Sequence, residues 1–183
     1  MSSLMPKKLF LTRGKGTHED QLVSFDLALR EAGLSAFNLV KVSSILPPRC
    51  AIISPKEGLR LLEPGQIVFV VLSEIATNEP NQLIAASIGM AIPNIFNHHG
   101  YLYEFKAVNM KAEEVSQKAE WLAATLLANA FGKEISEDSR SPEDKHRIDI
   151  AEGLHFRTES ITQTAYGTKG KWTTALSAAV LVT

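Results

Sequence analysis

Cysteine is almost missing from this 183-residue chain: Cys50 stands alone. No intramolecular disulfide can form, no thiol cluster sits at metal-ligand spacing, and a reducing, cytoplasmic setting is expected. An excess of either charge is missing too. The 19 Lys and Arg residues face 20 Asp and Glu, for a formal net charge of -1. Such a chain has no field to hold a phosphate backbone, so nucleic acid is not expected as a partner. No stretch approaches 18 uninterrupted apolar residues, so no membrane span is expected. The run Leu9-Phe10-Leu11 behind Lys7 and Lys8 is far shorter than a signal-peptide core. The motifs G-x-S-x-G, G-x-G-x-x-G, the Walker loop and H-E-x-x-H do not occur, which removes the usual hydrolase, dinucleotide, phosphate-loop and zinc-protease readings. His98-His99 is the one histidine pair. Neighbours on a strand point to opposite faces, so the pair reads as loop surface and not as a metal site.

What is present is ordinary and globular: 45% hydrophobic and 21% charged residues, in a length suited to one domain over 1–183. Leu9 to Thr12 reads as a strand closed by the turn-prone Gly14-Lys15-Gly16. A helix follows, with Thr17 as N-cap, a stripe of Leu22, Phe25, Leu29 and Ala32, and Gly33 as its stop. Asp26 lies beside that stripe. Phe37 to Leu46 reads as one strand with a hard stop at Pro47-Pro48. Further strands are expected at 51–53, 66–72, 101–108 and 172–182, with 85–92 open between strand and buried helix. Val115, Ala119, Leu122, Leu126 and Phe131 mark a long helix ending near Gly132, and 133–146 reads as an exposed connection. The mixture lacks a strict βαβ alternation, so an α+β fold is expected, a layered αββα sandwich in a single domain.

The segment Asn38-Leu-Val-Lys-Val-Ser-Ser-Ile-Leu-Pro-Pro48 puts two serines at a strand end, just before a rigid double proline. Together with Ser24-Phe25-Asp26-x-Ala28-Leu29, Ala32-Gly33, Ala85-Ala86-Ser87-Ile88-Gly89-Met90-Ala91-Ile92-Pro93 and Tyr103-Glu104-Phe105, it resembles the pyruvoyl-dependent arginine decarboxylases. The likeness extends through Glu159-Ser160-Ile161 and the Ala-rich tail. The sequence departs from the family at Gln82, where an acidic residue is expected, and in the longer 134–158 connection.

Decarboxylation needs a place to park the electrons left by carbon dioxide, and no side chain offers one. The resemblance implies a covalent pyruvoyl group made from Ser44, with no pyridoxal phosphate and no metal. The Ser44 hydroxyl would attack the Ser43 carbonyl, and elimination and hydrolysis would leave pieces 1–43 and 44–183. The enzyme would then turn L-arginine into agmatine and carbon dioxide. The family assigns oxyanion stabilisation to Asn38. Six extended residues cover roughly 20 Å, so either the strand bends or the amide comes from a neighbouring subunit. A neighbour in a homotrimer or a dimer of trimers is the expectation. Glu104 matches the family's proton donor, its flanking aromatics implying a desolvated carboxyl with a raised pKa. Asp26 and the new Ser43 carboxylate would hold the guanidinium.

Read from the residues alone, each position has a plainer role. Ser43-Ser44 would be a strand end handing over to a turn, Asn38 a strand-start residue satisfying backbone groups, Glu104 the polar face of its strand, and Asp26 a surface partner of Arg30 at i+4. Two other functions stay open: an unprocessed, non-catalytic α/β binding protein of the same fold, and a pyruvoyl decarboxylase of a different amino acid.

Overall fold

Leu9 and Leu11 leave the first strand on one side and Phe10 on the other, and all three are buried, so that strand is covered on both faces. The computed structural model describes residues 4–151 and 153–183; residues 1–3 of the amino-terminal segment and residue 152 of the connection lie outside it. In chain order the elements are β1 (Lys8–His18), α1 (Gln21–Glu31), β2 (Asn38–Lys41), β3 (Ile45–Leu46), β4 (Ala51–Ile52), α2 (Pro55–Leu59), β5 (Ile67–Thr77), β6 (Leu83–Pro93), β7 (Gly100–Val108), α3 (Ala112–Ala130), a 3-10 turn at Glu137–Ser139, β8 (Arg147–Ala151), β9 (Leu154–Tyr166) and β10 (Trp172–Val182). The fold is therefore mixed α and β, and mostly sheet.

The strands form two five-stranded sheets, in the orders β2-β5-β10-β1-β4 and β3-β7-β6-β9-β8. In the first, β1 and β10 pair antiparallel over their full length, while β2 and β4 are short parallel edges. The second is antiparallel throughout. Alternation assigns the faces. Phe10, Val68, Val70, Leu176 and Val180 pack against Ala28 and Ala32 at α1. Leu9, Leu11, Val71 and Leu181 of the first sheet share a cluster with Leu46, Ile88, Met90 and Leu102 of the second. On the far side of the second sheet, Ala91, Ile148 and Phe156 meet Ala123, Leu127 and Ala128 of α3. Two buried hydroxyls link the sheets: Ser177 Oγ donates to the Ala86 carbonyl at 2.9 Å and Ser73 Oγ to the Phe105 carbonyl at 2.8 Å.

Several local expectations need correcting. Gly14 and Gly16 do not turn the chain, for β1 runs straight through them. They are small because α1 lies on top: a Cβ on Gly14 would stand 2.1 Å from the Ala28 carbonyl oxygen, and one on Gly16 2.2 Å from that of Ser24. The α1 cap is Asp20, whose side chain accepts from the Val23 N–H, and not Thr17. The buried stripe is Ser24, Ala28 and Ala32, while Leu22 is exposed. The single strand expected over 37–46 is two strands in different sheets, and 85–92 is strand. The connection ends in a hairpin, β8 and β9, and neither strand is among those expected from the sequence.

Candidate active site

The chain changes sheets at Ser43-Ser44. The Val42 N–H still bonds the Val70 carbonyl at 3.0 Å, holding the end of β2 against β5. Three residues on, Ile45 is already paired with Tyr101 in β7. Between these anchors the backbone bends. The Ile45 N–H donates back to the Ser43 carbonyl at 3.0 Å, and the Ser44 carbonyl accepts from the Leu102 N–H at 2.8 Å. Pro47 and Pro48 follow β3 directly and end it.

The bend aims Ser44 at a carboxylate. Its Oγ donates to Glu104 Oε2 at 2.6 Å, within the range of hydroxyl bonds to charged oxygens. Glu104 stands opposite Ile88 in the β6-β7 ladder. It shares its strand face with Leu102, toward the cluster common to both sheets. Tyr101 and Tyr103 pack with the α3 cluster and Phe105 with Val115, on the other face. Strand alternation thus separates the acid from the aromatics that flank it in sequence, and they do not wrap it as expected. Its hydrogen-bond partner is the hydroxyl of Ser44.

The other candidates lie apart from this pair. Asn38 opens β2, and its amide nitrogen donates to the Gly65 carbonyl at 2.8 Å. The chain stays laddered to Val42, so roughly 16 Å of extended backbone separates Asn38 from Ser43. Asp26 sits on the exposed side of α1, with Oδ2 receiving Arg30 Nε at 2.7 Å. Both residues hold the plain structural roles that their positions suggested. Near the end of β2, Lys41 pairs with Glu74 of β5 at 3.0 Å, a partnership across 33 residues that no local pattern signals.

His98 and His99 occupy the β6-β7 loop, as expected, yet their rings lie on the same side and stack at 4.4 Å. They are in a loop, so strand alternation does not apply. His98 also stacks on Phe131 at 4.2 Å, and burial together with the charge of His98 lowers the His99 pKa. Among the described residues no group of three or more His, Cys, Asp or Glu side chains is placed to hold a metal ion. Burial pushes the Cys50 thiol up to about 11, which keeps it a neutral and inert packing group. No helix among the described residues is long and apolar enough to cross a membrane.

Sequence patterns had not signalled the buried carboxylate of Glu120 on α3. It accepts from Thr158 Oγ1 at 2.8 Å and Ser160 Oγ at 2.7 Å, and lies 3.2 Å from His146 Nδ1. Its position beside Ala119, inside the apolar stripe, was the available clue. These bonds hold β9 and the connection to α3.

Comparison with known proteins bears on the chain as a whole. The model of the family described as pyruvoyl-dependent arginine decarboxylase matches residues 8–183. The pyruvoyl-dependent arginine decarboxylase of Nitrosopumilus maritimus is 45% identical over 183 residues, covering 100% of both chains. That of Methanococcoides burtonii is 46% identical over 180 residues, covering 98% of this chain and 99% of its own. A protein of Chlorobium limicola named probable pyruvoyl-dependent arginine decarboxylase is likewise 46% identical, with the same coverage. With the family model matching residues 8–183 and likeness running along the whole length of these relatives, this chain belongs to the pyruvoyl-dependent arginine decarboxylase family.

Proposed function

We propose that this chain cleaves itself between Ser43 and Ser44 and then decarboxylates L-arginine to agmatine. The family is one of lyases that depend on a covalent pyruvoyl group. The observation that carries the reading is the 2.6 Å bond from Ser44 Oγ to Glu104 Oε2. A serine hydroxyl is a weak nucleophile, and a carboxylate already accepting its proton is the partner it needs. Glu104 takes that proton as Oγ adds to the Ser43 carbonyl, and the amide becomes an ester. Loss of the Ser44 α-proton then expels Ser43 as a carboxylate. Hydrolysis of the dehydroalanine left at residue 44 releases ammonia and leaves the pyruvoyl group.

The residues present fit that group, since the serine that becomes it already touches an acid and lies at a bend. When formed, it supplies the carbonyl that takes up the electrons released with carbon dioxide. Glu104 would supply from Oε2 the proton that takes the place of carbon dioxide at the substrate α-carbon. Asp26 binds the guanidinium with its two oxygens, and the new Ser43 carboxylate adds a second negative charge. Asn38 serves a neighbouring copy of the chain, since its own Ser43 is out of its reach. The assembly is then a closed ring, a homotrimer or two stacked trimers. Within each protomer the layers run helix, sheet, sheet, helix, an αββα sandwich in one domain.

Denaturing mass spectrometry of the purified protein tests the reading. Pieces 1–43 and 44–183, the larger one reducible by borohydride at its amino terminus, together with release of carbon dioxide from arginine, are expected. A Ser44→Ala chain that still yields these pieces rules it out. One observation favours a second reading: Asp26 is engaged by its own Arg30, which leaves arginine recognition open to a different amino acid. A substrate panel separates the two.

A further inference from the structure

We infer that the main-chain N–H of Ile45 is an oxyanion donor for cleavage at Ser43, a role that rests on the self-cleavage proposed above. The bond from Ile45 N to Ser43 O is 3.0 Å and spans only two residues, so Ser44 is the centre of a γ-turn-like ring. In a regular strand that N–H would point to a neighbouring strand. Here it is turned back onto the carbonyl that Ser44 attacks. The ring is held from both ends, by Val42 N–H on the Val70 carbonyl and by Leu102 N–H on the Ser44 carbonyl at 2.8 Å. The donor is thus in place before reaction and needs no reorganisation during it.

Geometry makes this bond selective for the reacting state. A three-residue turn forces a bent N–H···O angle, so the contact adds little to the resting fold. Once the oxygen carries charge, the same contact becomes a charge-assisted bond. The step balances. Ser44 Oγ bonds to the Ser43 carbonyl carbon, closing a five-membered ring through Cβ, Cα and N of Ser44, and its proton passes to Glu104 Oε2. The carbonyl π pair moves to oxygen, facing the Ile45 N–H. When that pair returns, the bond from carbon to Ser44 nitrogen breaks and the nitrogen takes the proton back from Glu104, leaving an amine and an ester. Within one chain the Asn38 amide is committed to Gly65 and distant. Among the described residues the Ile45 N–H is the donor bonded to the reacting oxygen. The Ile45 side chain is 40% exposed and not needed, so residue type gives no hint of the role.

The test replaces Ile45 by its α-hydroxy acid, which puts an ester oxygen where the N–H was and keeps the side chain. Ile45→Val, which keeps the N–H, is the control. Cleavage is followed by intact mass and folding by thermal melting. Cleavage between Ser43 and Ser44 is expected to slow about 100-fold in the ester chain, as when one oxyanion donor is removed, and to stay within about threefold of wild type in the control. Hydrolysis of the introduced ester would give pieces 1–44 and 45–183, which mass distinguishes. A folded ester chain cleaved at the wild-type rate overturns the Ile45 role and leaves self-cleavage standing. A wild-type chain that never cleaves removes both.

Discussion

At the scale of single residues, the proposed chemistry rests on one short contact and the proposed recognition on an exposed group. Glu104→Gln keeps the size of the side chain but removes the acceptor charge facing Ser44. In whatever fraction of that variant is cleaved, kcat for arginine is expected to fall by about 100-fold or more, as for loss of a positioned acid. Single-turnover carbon dioxide release per carbonyl-titrated site reads this, and full turnover excludes Glu104 as the proton donor. Asp26 is a different case. Its pair with Arg30 is exposed on both sides, so losing it costs the fold no more than about 0.5 kcal/mol. Asp26→Asn is expected to leave melting and cleavage nearly unchanged and to raise KM for arginine at least tenfold. An unaltered KM places the guanidinium elsewhere.

At the scale of elements, close approach decides more than propensity. The helix α1 lies on β1 because Gly14 and Gly16 present no Cβ to its carbonyls. A methyl on Gly14 collides with rigid backbone, so Gly14→Ala is expected to cost about 1–3 kcal/mol. Urea denaturation of the Ser44→Ala chain, with and without the change, measures it; equal midpoints would mean that α1 has room to shift. The same packing explains what was legible beforehand. The long helix at 112–130, the strands at 100–108 and 172–182 and the first half of the strand at 67–77 are readable, because burial on one or both faces leaves a periodic or continuous apolar signal. The two glycines of β1 were misread, since the local pattern of a turn and that of a close crossing are the same. The break between Lys41 and Ile45 was invisible, because the residues on either side are both strand-like and only their partners, β5 and β7, differ. For the candidate site, Ser44 and Glu104 are named through the family motif. Their contact spans 60 residues and could not be read from spacing. The Ile45 N–H carries no side-chain signature at all.

At the scale of the whole molecule, the protomer leaves Asn38 about one strand length from the bond it is assigned to. If the asparagine acts on a neighbour, a subunit carrying Asn38→Ala and one carrying Ser44→Ala complement each other. Co-assembled from denatured chains, some of the serine-intact subunits are expected to cleave, although neither variant does so alone at a comparable rate. Mixed assemblies, confirmed by native mass spectrometry, that yield no pieces defeat the shared site. The proposed cleavage would also divide a single weave. The piece 1–43 contains β1, which is inserted between β10 and β4 and bonded to β10 along eleven register pairs from Lys8↔Val182 to His18↔Trp172. Cutting one peptide between the sheets removes none of those bonds, so the folded state barely notices. The unfolded state does, because one tether becomes two free molecules and refolding turns into an encounter. Each tenfold dilution then costs that encounter about 1.4 kcal/mol. Recovery of cleaved protein from denaturant is expected to fall with dilution more steeply than recovery of uncleaved Ser44→Ala. The proposed maturation would therefore act as a ratchet: the chain would have to fold in one piece to cut itself, and having done so it would give up the easy way back.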